Sequence, residues 1–128
     1  MTTPSYRVIG DAPYARVTTF RKDGRAVPTP VWVVTDGDAV SIWTAIGTGK
    51  VKRVRRNAAV LVAPCDFRGR VTGDEVSGTA SILDSEGTER VRALLRLKYG
   101  LMGRLTLWGS KLRRGLNGTV AIRIVLSD

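Results

Sequence analysis

Five cations fall within seven residues, at Lys50, Lys52, Arg53, Arg55 and Arg56, directly behind the turn Gly47-Thr48-Gly49. Residues of these types in this order can hold an anion. The first turn of a helix offers backbone N–H groups that its own carbonyls do not use, and ammonium or guanidinium groups beside them can converge on one phosphate. Only Val51 and Val54 interrupt the run, three apart, so a helix here has a thin apolar stripe and a broad cationic surface. Lys52 and Arg56 lie four apart on one helix face, a spacing that suits a second anionic group. Arg55 is expected to face solvent. Taken alone, such a run is more often a solvated basic face.

Composition narrows the chemistry further. The chain has 128 residues, enough for one domain (residues 1–128) with one sizeable core, and a net charge of +10. Such a field favours anionic partners without choosing among them. There is no histidine, which excludes a Ser-His-Asp or Cys-His catalytic set and every histidine-containing metal site. Cys65 is alone, so no intrachain disulfide or cysteine metal cluster is expected, and it reads as a small apolar strand residue. Residues 45–60 hold no aromatic to stack on bases, and no nucleic-acid module signature occurs, so nucleic acid is not the expected partner. The longest apolar stretch, Ala58 to Cys65, is too short to span a bilayer, and Met1 to Tyr6 lacks the apolar core of a secretion signal. A cytoplasmic protein is expected.

The elements that would position the basic run can be read from pattern. Tyr14 to Phe20 is a β-branched and aromatic strand, and Lys22-Asp23-Gly24-Arg25 is a turn whose Asp-Gly pair supplies a positive φ. The chain returns through Ala26 to Val34 with Pro28 and Pro30 two apart, which leaves one side of that strand to an edge, a bulge or a ligand. Asp36-Gly37-Asp38 turns into the strand Ala39 to Thr44. A helix over Lys50 to Asn57 follows, then strands at Ala59 to Ala63, Val76 to Leu83 and Thr119 to Leu126. Asp84 or Ser85 caps a second helix from Glu86 to Tyr99, with Val91, Leu94, Leu95 and the Lys98 stem turned inward. Leu101, Leu105, Trp108 and Leu112 recur at helical spacing and outline a third helix over Leu101 to Arg114. The sum is a mainly β (β-rich α+β) fold, a six-stranded antiparallel barrel with two or three helices. A helix between the third and fourth strands would plug or split such a barrel. Trp32 and Trp43 read as core or interface aromatics.

Several of these segments together follow a recognisable pattern: Val17-Thr18-Thr19-Phe20, Asp23-Gly24-Arg25, Pro28-Thr29-Pro30-Val31-Trp32, Lys50-Val51-Lys52-Arg53 through Asn57, Val60 to Cys65, and Val76-Ser77-Gly78-Thr79-Ala80. The chain resembles the flavin/deazaflavin oxidoreductases of the split β-barrel (pyridoxamine-phosphate oxidase-like) superfamily over residues 12–126. Within it the chain looks most like the small actinobacterial branch that uses the deazaflavin coenzyme F420, notably in the Ala63-Pro64-Cys65-Asp66 run. The resemblance implies a cofactor ring against Pro28, Thr29, Pro30, Val31 and Trp32, and a phosphate held by Thr44, Thr48, Gly49 and Lys50. It implies F420 as cofactor, with FMN as the alternative, and a hydride passed to an electron-poor C=C or C=N small-molecule acceptor. F420 carries a phosphodiester and several glutamates, so Lys52 and Arg56 become candidates for its acidic tail. A homodimer with cofactor sites at the interface is implied, with no catalytic acid–base side chain and no metal. A carrier that binds F420 without turnover is the other reading.

Overall fold

The computed structural model describes residues 3–45, 47–100 and 119–127. Among these the elements run α1 (Ser5–Gly10), β1 (Tyr14–Phe20), β2 (Ala26–Val31), β3 (Val33–Asp36), β4 (Ala39–Ala45), α2 (Gly49–Arg56), β5 (Ala59–Cys65), β6 (Val76–Ile82), α3 (Ser85–Gly100) and β7 (Thr119–Leu126). The seven strands form one sheet in the order β2-β1-β5-β6-β7-β4-β3. The outermost strands of that order, β2 and β3, are halves of one stretch of chain separated only by Trp32. Before Trp32 the chain pairs with β1, and after it with β4. The sheet therefore curls into a split barrel joined through a single bent strand. Six strands become seven because one straight strand cannot lie at both edges of a curled sheet; the predicted Ala26–Val34 strand breaks so that each half keeps one neighbour.

The break leaves backbone groups to be satisfied, and the register identifies them. The loop between β3 and β4 is Gly37-Asp38, with Gly37 at φ 66°, and it closes on the Asp36–Ala39 pair. Hydrogen-bonded and non-hydrogen-bonded pairs alternate from there, so Val33, opposite Ile42, turns its N–H and C=O away from β4. Two residues of α3 meet them. The Val33 N–H donates to the Tyr99 hydroxyl at 3.1 Å, and that hydroxyl donates to the Pro13 carbonyl at 2.8 Å. The Lys98 ammonium donates to the carbonyls of Val33 (2.7 Å), Gly10 (2.6 Å) and Ala12 (2.6 Å). Trp32 stacks on the Tyr99 ring, centroids 4.5 Å apart. Burial pushes Lys98 down to about 8, opposed by the charge of Asp11, and pushes the Tyr99 hydroxyl up to about 12.

Packing divides between the two faces of the sheet. One cluster, including Val17, Val40, Ile42, Val62, Ile122 and Ile124, fills the barrel. A smaller one places Val91, Leu95 and Tyr99 of α3 against Val34 and Ala121, with Trp32 and Trp43 alongside. Both tryptophans are partly buried against this cluster. Asp84 caps α3 through its carboxylate on the Gly87 N–H at 2.8 Å. The helix α1, which nothing in the pattern announces at six residues, buries Ile9. The third helix expected over Leu101 to Arg114 lies outside the described residues.

Tyr99→Phe removes the acceptor of a buried N–H, so it is expected to lower unfolding free energy by about 1–3 kcal/mol in urea denaturation. Lys98 has its own signature. Its folded pKa, about 8, lies below the ordinary lysine value of 10.5, so between these values the unfolded chain binds more protons. Stability of the wild type relative to Lys98→Met should therefore rise as pH climbs through that window. A flat difference would contradict the assigned burial of the ammonium.

Candidate functional site

The turn between β1 and β2 sets the register of the proline strand. The Arg21 N–H donates to the Arg25 carbonyl at 2.8 Å and the Gly24 N–H to the Arg21 carbonyl at 2.9 Å, with Gly24 at φ 91°. This is the three-residue hairpin loop with a glycine bulge. Counting from that closing pair, Val27 and Thr29 bond to β1, whereas Pro28 and Pro30 turn their backbone outward. The two prolines therefore cost β2 no ladder bond, and they leave an edge that offers carbonyls without N–H donors at those positions. Their carbonyls stand about 7 Å apart, two residues along a strand. Such an edge resists pairing with another strand and can accept hydrogen bonds from a flat ligand. Thr29 and Val31 turn to the half-buried face, and one face of Trp32 is taken by Tyr99.

At the other corner, α2 begins without a side-chain cap. Thr48 occupies the cap position, but its hydroxyl donates back to the Ala45 carbonyl at 2.9 Å. The Thr44 hydroxyl lies 3.5 Å from it. Lys50 is buried with Val51 and Val54, the residue only 9% exposed, and among the described residues it has no hydrogen-bond or ion-pair partner. Burial first and the Arg53 charge second push its ammonium below the usual lysine range. A buried cation in this state is costly unless an anion answers it.

The outer face of α2 opens on a cleft of about 390 Å³. Lys52, Arg53 and Arg56 line one wall, and Arg21, Lys22 and Arg25 of the β1–β2 turn line the other. The expected Lys52–Arg56 pair is thus brought together, but Lys50 does not line this cleft, and Arg55 is exposed outside it. The turn cations escaped sequence reasoning, and Arg53, seen as part of the basic run, was given no role of its own. Two basic segments were visible, but nothing in the pattern brings the hairpin turn against the helix. A larger groove, about 900 Å³, lies between α1 and the end of β7. Its charged lining is Asp38 and Asp74, the wrong sign for the chemistry of the basic run. Size and charge disagree about the site, and charge carries more chemical information here.

A β-barrel split through one bent strand, with a basic helix following the fourth strand, defines the flavin-binding split-barrel class. The chain belongs to the pyridoxamine 5'-phosphate oxidase family, whose profile matches residues 6–125. Compared with curated proteins, the sequence has no match. Among solved structures it is similar to a conserved hypothetical protein of Mycobacterium tuberculosis (TM-score 0.75, 18% identity, 100% of this chain and 82% of that one). It is also similar to an F420 reductase (0.64, 15%, 99% and 97%) and to a FAD-binding protein of Mesorhizobium loti (0.65, 16%, 100% and 91%). At these identities the likeness is one of fold. No helix among the described residues is long and apolar enough to cross a membrane.

The register makes a direct prediction. The double substitution Pro28→Val/Pro30→Val adds N–H groups only on the outer edge, so stability should change by about 1 kcal/mol or less. Self-association, followed by light scattering, should increase as the edge regains donors. A loss of several kcal/mol would mean that the prolines face β1.

Proposed function

We propose that this chain is an F420-dependent oxidoreductase acting on an electron-poor C=C or C=N acceptor. The observation that carries the reading is Lys50, a largely buried lysine with no hydrogen-bond or ion-pair partner among the described residues, in the first turn of the uncapped helix α2. A phosphate there would meet Lys50, the first N–H groups at Gly49, and the hydroxyls of Thr44 and Thr48. The polar edge of the ring would lie along β2, where the Pro28 and Pro30 carbonyls accept hydrogen bonds, with Thr29 and Val31 fixing that strand and Trp32 closing its end. Lys52 and Arg56 face outward from the same helix and suit the acidic tail. That surplus of cations beyond what one phosphate needs favours F420 over FMN.

When bound in its reduced form, F420 supplies a hydride to the acceptor carbon; the balancing proton comes from water. The residues of this chain bind, orient and exclude solvent. No side chain is assigned as acid or base, and the Tyr99 hydroxyl, engaged with Val33 and Pro13, is held in its neutral form by burial. The active form is proposed to be a homodimer with the cofactor at the interface.

Parallel titrations with F420 and FMN test the reading, with sedimentation of the loaded protein reporting its mass. F420 should bind, and Lys50→Met should weaken it about 10- to 100-fold, the loss of one charge-assisted hydrogen bond. Micromolar FMN binding with none for F420 would overturn the cofactor. Tight F420 binding without turnover on a panel of enones and imines would make the protein a carrier.

A further inference from the structure

The groove between α1 and the end of β7 differs in character from the basic surface around α2. Its volume, about 900 Å³, falls in the range of about 300–1,000 Å³ that small-molecule sites occupy. The helix α1 buries Ile9 but leaves the preceding Val8 45% exposed. At the end of β7, Leu126 packs against the barrel core while Val125 is 48% exposed. Both exposed valines line this one groove, together with Ile9, Leu126 and Tyr6. Aliphatic side chains scattered singly over a surface need no explanation, but two that converge beside core residues offer a ligand apolar area.

Charge sets a second condition. The chain carries 21 cations against 11 acidic residues, yet among the described residues the charged lining of this groove is Asp38 and Asp74. Asp38, in the β3–β4 turn, already accepts from Arg123 at 3.2 Å. Asp74 stands just before β6, exposed, with no hydrogen-bond or ion-pair partner among the described residues. One carboxylate is thus partly neutralised and the other is available. At short range the sign of the surface is reversed here. The groove disfavours the anions that α2 attracts and favours a positive charge at Asp74.

We infer that this groove is a binding site for a small apolar cation, an alkyl- or arylammonium whose chain covers Val8 and Val125 and whose ammonium meets Asp74. A neutral apolar ligand would leave Asp74 unused, and an apolar anion would meet it with like charge. The inference goes beyond the proposed function and is independent of it. The groove shares no residue with the Lys50 corner, the edge of β2 or the basic cleft.

The test is titration of the full chain with octylammonium, octanol and octanoate at physiological salt and neutral pH, followed by amide chemical shifts. Octylammonium is expected to saturate one site, with the largest shifts at Val8, Val125 and Leu126. An exposed ion pair makes its binding about threefold tighter than that of octanol and about tenfold tighter than that of octanoate, which Asp74 repels. Asp74→Asn should remove that threefold advantage and leave octanol unchanged, whereas Glu86→Gln, the same charge change outside the groove, should alter neither ligand. Val125→Thr, which keeps the shape but removes apolar area, should weaken octylammonium and octanol alike, by about threefold. Saturable binding of this pattern supports the site whether or not F420 binds, so the two readings fail separately. Octanol or octanoate binding as tightly as octylammonium would overturn the proposal. So would equal losses from Asp74→Asn and Glu86→Gln, shifts spread over the whole surface, or the absence of saturable binding.

Discussion

Everything else in this molecule depends on one strand having two sets of neighbours. The chain from Ala26 to Asp36 must pair with β1 at one end of the sheet and with β4 at the other, and it does so by bending at Trp32. A bend exposes backbone polarity, which in a buried place must be answered. Here the answer comes from the far end of the sequence order, through Tyr99 on the Val33 N–H and Lys98 on its carbonyl. The same ammonium holds the α1 end at Gly10 and Ala12, so one helix terminus secures the bend, the start of β1 and the short N-terminal helix together. With the bend fixed, β2 is an edge by construction, and its outward prolines follow.

The second organising fact is a conflict. A chain selected only to fold would not bury Lys50 without a partner among the described residues, nor bring the guanidinium groups of Arg21, Arg25, Arg53 and Arg56 around one cleft. Departures of this kind mark places where the sequence serves something other than stability. The conflict also has direction. Lys50 is buried with the apolar residues of α2, whereas Lys52 and Arg56 are exposed and line the cleft on its other side.

Much of this was legible beforehand because it rests on local chemistry. The Asp23-Gly24 turn, the strand from Tyr14 to Phe20, the basic helix and the Asp84 cap each follow from a few adjacent residues. The inward stripe of α3 was readable from Val91 and Leu95, although the polar role of Lys98 and Tyr99 was not, since their partners lie more than sixty residues away. The break at Trp32 was invisible for a different reason: β-branched residues flank it on both sides, and only closure of the sheet demands it. The basic cleft shows the same limit. Both walls were apparent as sequence, but their meeting is a tertiary fact.

The central claim is that a ligand places its anionic end at the start of α2 and its ring along the free edge of β2. Amide chemical shifts of isotope-labelled protein during F420 addition report on this residue by residue. The account predicts the largest changes at Gly49, Lys50 and Val51, accompanied by Thr29 and Val31. Changes confined to the groove between α1 and β7, around Val8 and Val125, would contradict it.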